Sequence, residues 1–161
     1  MTFEDEISKY LKNKTTVKNV FSHPETLPET RGIYIYTVPD DNAKIEFSDT
    51  TTAKETFEGR SLLFPKDELK NKFSRGDKKI LYIGKAENLR KRTALRAKYS
   101  KEKIKDIRAR GGRALFQIKN WESIGLNFYY YETGDCERLE KALLSLYELQ
   151  YGVLPVANRV L

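Results

Sequence analysis

The sequence is short of the residues that staple small proteins and of the runs that carry a chain through a membrane. Its 161 residues include one cysteine, one histidine and one methionine. Cys136 alone closes no intramolecular disulfide. A single Cys with a single His cannot supply the several thiolate and imidazole ligands of a structural zinc site. No apolar run approaches the roughly 20 residues that span a bilayer. The opening MTFEDEISKY is acidic and amphipathic, whereas a secretory signal is basic and then apolar. A cytoplasmic protein with no membrane partner is expected. No proline- or glycine-rich linker divides the chain, and one domain commonly takes about 100–200 residues, which predicts a single unit over 1–161. An apolar fraction of 39% with 12% aromatics can build its core and argues against disorder.

Acidic residues are scarce in one place only. Residues 71–119 hold 17 Lys+Arg against four Asp+Glu, while the rest of the chain holds 13 basic and 19 acidic residues. The formal net charge of +7 is therefore concentrated. Such asymmetry is the footprint of a polyanion-binding surface, although a solvated helical face has the same composition.

The patterning predicts an α/β (α+β) fold with a small, mainly antiparallel, three-stranded central sheet flanked by helices. Residues 2–13 read as a helix with Phe3, Ile7, Tyr10 and Leu11 on one side, and Thr2 with Asp5 as its capping pair. Residues 1–29 form this helix and a connector. The apolar Gly32-Ile33-Tyr34-Ile35-Tyr36-Thr37-Val38 reads as a buried strand stopped by Pro39. Polar residues 40–78 read as an insertion, with weak strand signal at Lys44–Phe47 and Ser61–Phe64. A second strand is expected at Lys79–Gly84, a basic helix at Ala86–Tyr99 and another at Lys101–Arg110 capped by Gly111-Gly112. Ala114–Ile118 is of open type. Leu126–Tyr131 reads as the third strand. A last helix begins near Asp135 and carries Leu139, Ala142, Leu143, Leu146 and Leu149 as its core stripe.

Gly84-Lys85 reads as the end of a strand where a basic helix begins, an arrangement whose free N–H groups favour phosphate. Taken in order, Gly32-Ile33-Tyr34, then Tyr82-Ile83-Gly84, then Lys85 through Arg92, resemble the motifs of the GIY-YIG nuclease superfamily. Arg92 stands eight residues past the second tripeptide, Glu140 with Leu143 and Leu144 matches the family's glutamate helix, and Asn158 follows Pro155 as its terminal asparagine does. Gly111-Gly112-Arg113-Ala114 with Gln117, and Leu154-Pro155-Val156-Ala157-Asn158, resemble a small single-domain branch with GGRA…Q and LPxAN signatures. The resemblance covers about residues 30–159.

The resemblance implies a metal-dependent endonuclease acting on DNA, with RNA as the alternative polymer and a non-catalytic binding module of the same fold as the alternative function. It implies Mg²⁺ (or Mn²⁺) held by Glu140, water activation assisted by Tyr34 with Tyr82 hydrogen-bonded nearby, and a phenol or water tuned by Lys85. Arg92 would stabilise the scissile phosphate, and Gly32, Gly84 and Asn158 would support the set. The chemistry is consistent with this, since phosphodiester hydrolysis gathers charge on oxygens that preorganised cations stabilise. Arginine presents a planar fork to phosphate. A single carboxylate suits Mg²⁺, which keeps several waters. A phenol with a pKa near 10 needs surrounding cations to act as a base, and Lys85 and Arg92 are the candidates.

Three departures leave alternatives open. Arg96 occupies a position where many members carry His or Tyr. The two tripeptides are separated by an insertion suited to shaping substrate choice or dimerisation, so the chain is expected to be a monomer or a homodimer. The spacing to Asn158 leaves Glu148 and Glu137 as rival metal ligands. Arg90, Lys91, Arg96, Lys98 and Arg113 are the expected nucleic-acid contacts, with Arg113 open between a phosphate contact and a buried ion pair. Lys101, Lys103, Lys105, Arg108 and Arg110 would add diffuse backbone contacts. His23 reads as exposed, Trp121 and Tyr129–Tyr131 as packing, and Cys136 as no nucleophile because it lacks a His partner.

Overall fold

The computed structural model describes residues 1–101 and 112–159. The basic helix expected over 101–110, with Lys103, Lys105, Arg108, Arg110 and Gly111, lies outside the described residues, save for Lys101 in a turn. The fold is mixed α+β. Its strands are β1 (Thr15–Thr16), β2 (Gly32–Thr37), β3 (Thr56–Phe57), β4 (Arg60–Ser61), β5 (Ile80–Ala86) and β6 (Asn127–Glu132). Its helices are α1 (Phe3–Ser8), α2 (Val17–Ser22), α3 (Lys66–Arg75), α4 (Leu89–Tyr99) and α5 (Cys136–Tyr151).

The central sheet has four antiparallel strands in the order β1-β6-β2-β5, not the expected three. The extra strand is two residues long, and its Thr15-Thr16 lacks the apolar alternation by which a strand announces itself. Every residue of β2 is buried, as its apolar and aromatic run predicts for a central strand.

Period-two alternation divides β2 between two cores. Ile33 and Ile35 join Phe3, Ile83, Leu143, Leu144 and Tyr147 beneath α1 and α5. Tyr34 and Tyr36 join Tyr82, Leu89, Tyr99 and Phe128 on the opposite face. Thr2 caps α1 as expected, accepting from the backbone N–H of Asp5 at 3.2 Å, but the helix stops at Ser8. The connector over 21–31 is partly helical, because α2 starts at Val17 with Thr16 accepting from the Asn19 N–H. The stripe of α5 is rotated from the expected one. Leu143, Leu144 and Tyr147 are buried, whereas Ala142 is exposed and Leu149 is 84% exposed. Tyr147 is chosen over Leu146 because its hydroxyl reaches inside to Asp77 Oδ1 at 3.1 Å while its ring meets Phe3 edge-on.

The insertion folds as the β3–β4 hairpin followed by α3, so the strands expected at Lys44–Phe47 and Ser61–Phe64 do not form as such. Phe47 makes only an isolated antiparallel bridge to Ile118. Ala114–Ile118 falls largely within a 3₁₀ helix, Arg113–Gln117, which anchors the insertion. Buried Gln117 accepts from the Phe64 N–H at 2.9 Å and donates to the Phe64 and Ser48 carbonyls at 2.8 and 3.0 Å. Trp121 is core, its Nε1 donating to Thr52 at 3.0 Å. No helix among the described residues is long and apolar enough to cross a membrane.

Candidate functional site

Strand register brings the two tripeptides together. Antiparallel β2 and β5 place Tyr34 opposite Gly84 and Tyr36 opposite Tyr82. The Tyr34 ring lies 5.8 Å from that of Tyr82, and Tyr36 is equally close to Tyr82. Gly84 makes this packing possible. A Cβ there would lie 2.5 Å from Tyr34 Cζ, 2.7 Å from its hydroxyl and 2.6 Å from Tyr82 Cε2. Gly32 is equally constrained, since a Cβ would overlap the Tyr131 carbonyl of β6.

The strand continues to Ala86 and α4 begins only at Leu89, so Lys85 belongs to β5 rather than to a helix N-terminus. Asn88 caps α4 by accepting from the Lys91 N–H at 2.9 Å, which uses one of the free donors expected to face phosphate. Arg92, one turn in, donates through Nη1 to the Lys85 carbonyl at 3.1 Å. Lys85 pairs with Glu137 of α5 at 3.2 Å.

Glu140 is the half-buried carboxylate of this group, while Glu137 and Glu148 are exposed. Burial raises its pKa above the ordinary glutamate value, and nearby Lys85 and Arg92 only partly oppose that. Its charged form is therefore incompletely compensated. That is the setting of a carboxylate with room for a further cation, and its hard oxygens suit Mg²⁺. The described residues contain no cluster of three or more His, Cys, Asp or Glu side chains able to cage a metal. Any ion here would rely on Glu140 together with water and substrate oxygens.

Arg96 is the residue whose placement differs most from expectation. It is 3% exposed and lies among the tyrosines, so it is not a surface contact for nucleic acid. Its Nη2 donates to the Tyr82 hydroxyl at 3.4 Å, and its guanidinium sits 5.6 Å from the Tyr82 ring centre. Burial opposes its charge, but the surrounding Tyr34, Tyr82 and Tyr36 phenols outweigh that and hold it firmly protonated. Arg96 follows Leu89 and Thr93 at steps of four and three residues, about two turns of α4, so a 3–4 periodicity that admitted charged residues would have found it.

The Tyr82 phenol moves opposite to the expected direction. Burial pushes Tyr82 well above its ordinary value, Tyr34 adds to the rise, and Arg96 only partly offsets it. Tyr36 is raised likewise, burial first. The hydroxyls of Tyr34 and Tyr36 are buried without a hydrogen-bond partner among the described residues. Tyr82 and Tyr36 are thus held as neutral phenols, suited to donating a hydrogen bond rather than to taking a proton.

Other expected residues serve the scaffold. Asn158 is 4% exposed and brackets the free edge of β5, accepting from the Ile83 N–H at 3.0 Å and donating to its carbonyl at 2.9 Å. Arg90 donates to the Leu27 carbonyl at 2.8 Å and faces Glu29. Arg113 donates to the Leu62 carbonyl at 2.9 Å and lies over the Phe64 ring, so it ties down the insertion. Lys91 and Lys98 are exposed on α4. His23 is exposed beside Glu25, and Cys136 is buried at the start of α5.

A cleft of about 680 Å³ opens beside this group, between Lys85 and Arg92 on one side and Glu137, Arg138 and Lys141 of α5 on the other. Tyr34, Tyr82 and Glu140 do not line it. They adjoin it through Gly84, Lys85 and Arg92, the residues on which Tyr34 packs and to which Glu140 couples. Scans against protein-family models and searches of curated proteins and of solved structures found no match to this chain.

Proposed function

We propose that this chain is a metal-dependent endonuclease of the GIY-YIG type, hydrolysing phosphodiester bonds in DNA. One observation carries the reading: β2–β5 register sets Tyr34 and Tyr82 against Gly84, and the next residues of the chain, Lys85 and Arg92, are hydrogen-bonded to each other and act electrostatically on Glu140. A half-buried carboxylate beside one paired and one unpaired cation is the kind of setting in which functional groups gather.

In this reading Arg92 presents its guanidinium to the non-bridging oxygens of the scissile phosphate, where charge grows as water adds to phosphorus. Arg92 is already oriented by the Lys85 carbonyl, which lowers the entropy lost on engaging phosphate. The Lys85 ammonium adds a second positive charge, released from Glu137 when substrate arrives. Glu140 would hold a divalent ion, which supplies charge neutralisation at phosphate and at the departing 3′ oxygen. The Tyr82 hydroxyl, the less deeply buried of the two, would orient water as a hydrogen-bond donor with Tyr34 packed behind it, and the proton of the attacking water leaves to solvent or to a phosphate oxygen. Arg96 holds the Tyr82 hydroxyl in place.

The high Tyr82 pKa and the buried Tyr34 hydroxyl favour one second reading, a binding module that keeps the fold without the chemistry. Mg²⁺-dependent cleavage of plasmid and branched DNA separates the two. Wild type should cut, and Arg92→Ala and Glu140→Ala should each lose roughly 10²–10³-fold, as for removal of a transition-state charge donor. Equal cleavage by all three proteins removes these residues from the site. Salt-dependent binding without cleavage of DNA or RNA establishes the binding module.

A further inference from the structure

The cleft beside Arg92 carries more positive charge than the fold neutralises. Lys85 is paired with Glu137 at 3.2 Å, and Arg31 approaches Glu87 at 3.9 Å. Arg92, Arg138 and Lys141 also line the cleft, and none of the three has an acidic partner among the described residues. Arg138 and Lys141 are three residues apart on α5, so they share a helix face with their Cβ atoms about 5–6 Å apart. Both are exposed. Asp135 also lines the cleft, so the lining holds five cations against three carboxylates, and the remaining net charge of +2 favours an anion.

The size of the concavity limits the anion. At about 680 Å³ it falls within the ~300–1,000 Å³ of sites that take an extended ligand, not a lone ion. The cations also occupy two stations: Arg92 at the β5–α4 junction, and Arg138 with Lys141 across the cleft. A ligand that touches both carries anionic groups in series, as a sugar–phosphate chain does. The opening turn of α5 adds its partial positive charge on the same side.

We propose that this cleft holds the polynucleotide backbone next to the scissile bond, with Arg138 and Lys141 binding the neighbouring phosphate. The proposal rests on the phosphodiesterase reading and deepens it. The substrate is a chain with phosphates flanking the cut, and its path turns onto α5. Arg31, Arg138 and Lys141 all lie outside the basic segment 71–119, so the chain's acidic remainder supplies part of the binding surface.

The experiment compares wild type, Arg138→Gln/Lys141→Gln and a charge-matched control, Lys12→Gln/Lys18→Gln, near the β1 edge at the far side of the sheet. DNA binding is followed by fluorescence anisotropy across a salt series with EDTA present, and cleavage is measured with Mg²⁺ on DNA and on a small chromogenic phosphodiester. The α5 variant should weaken DNA binding by about tenfold per lost contact near 0.1 M salt and reduce the salt slope by about two. Its kcat/KM should fall on DNA and hold on the small diester, which has no flanking phosphate. The control should retain wild-type affinity and slope. An α5 variant that binds and cuts DNA like wild type, or a control that loses as much, overturns the subsite while the nuclease stands. DNA binding with the predicted slope change but no cleavage by any protein retains the subsite and overturns the nuclease. A wild type that neither binds nor cleaves overturns both.

Discussion

Replacing Gly84 with alanine tests the arrangement on which the candidate site depends. The added Cβ would lie 2.5 Å from Tyr34 Cζ and 2.6 Å from Tyr82 Cε2, against an ordinary carbon–carbon contact of about 3.5–4 Å. Both rings would have to retreat by roughly 1 Å. Neither has space to do so. Tyr34 is 1% exposed and is held between Tyr36, Phe128 and Tyr82, with ring centres 5.7, 6.0 and 5.8 Å away. Overpacking a close-packed core costs about 1–3 kcal/mol per site, and two simultaneous ring overlaps put Gly84→Ala at the upper end, about 2–4 kcal/mol. For a chain this long that lowers Tm by roughly 5–15 °C. Urea unfolding followed by near-ultraviolet circular dichroism measures it. Gly134→Ala is the matched control, because a Cβ there meets nothing within 4 Å, and it should be neutral or stabilise by up to about 1 kcal/mol through unfolded-state entropy. In a Tyr34→Leu background the cost of Gly84→Ala should shrink by at least about 1 kcal/mol, because the ring it strikes is gone. A cost below about 0.5 kcal/mol with no coupling to Tyr34 would show that the tyrosines do not close over Gly84.

Asn158→Ala removes both hydrogen bonds to Ile83 and leaves a buried strand edge unpaired, so it should cost about 2–4 kcal/mol in urea titrations. Asn158→Asp should be at least as costly, because a carboxylate cannot donate to the Ile83 carbonyl. Burial, with Arg159 adding, lowers Lys72 to about 8. Its charged form thus costs stability below pH 8, and the cost is relieved as pH rises from about 8 toward the unfolded value near 10.4. Thermal melts across that window should show wild type gaining relative to Lys72→Met, by about 1 kcal/mol after solvent screening, and parallel curves would refute the shift. Glu140→Gln removes a desolvated charge, so in EDTA at pH 7 it should raise Tm slightly while abolishing Mg²⁺-dependent cleavage. A lower Tm would mean that the carboxylate stabilises the fold through Lys85 and Arg92.

The strands were legible wherever one period ruled. Gly32–Thr37 and Asn127–Glu132 form where their aromatic and β-branched runs predict, because such runs satisfy a half- or fully buried pleat and little else. Thr15-Thr16 was not legible, since two polar residues acquire strand geometry only from their partners Phe128 and Asn127. The insertion failed for the same reason. Leu69 is the one buried residue of α3, which leaves little pattern to read, and the segment leading into the helix is tied at Leu62 and Phe64 by Arg113 and Gln117, remote in sequence. The convergence of Gly84, Tyr34 and Tyr82 was legible as motif but not as mechanism. Nothing local to Tyr82 reveals that burial outweighs the neighbouring cations and drives its pKa upward.

The basic segment shows why a charge count alone cannot locate a binding surface. Of its cations, Arg90 holds the connector at Leu27, Arg113 holds the insertion at Leu62, and Lys72 donates to the Val156 and Asn158 carbonyls. Arg96 is enclosed by phenols. These long side chains offer several donors on flexible stems, so a fold with many free carbonyls at its irregular junctions recruits them as ties. Cations used in this way are withdrawn from the field that a phosphate backbone would meet. Arg92 keeps a guanidinium toward the cleft because its one tie, to the Lys85 carbonyl, uses a single nitrogen and leaves the rest of the fork uncommitted. What makes a residue available to a polyanion is thus the donor capacity left over after folding, and by that measure Arg92, with Arg138 and Lys141 on α5, outranks Arg90, Arg96 and Arg113.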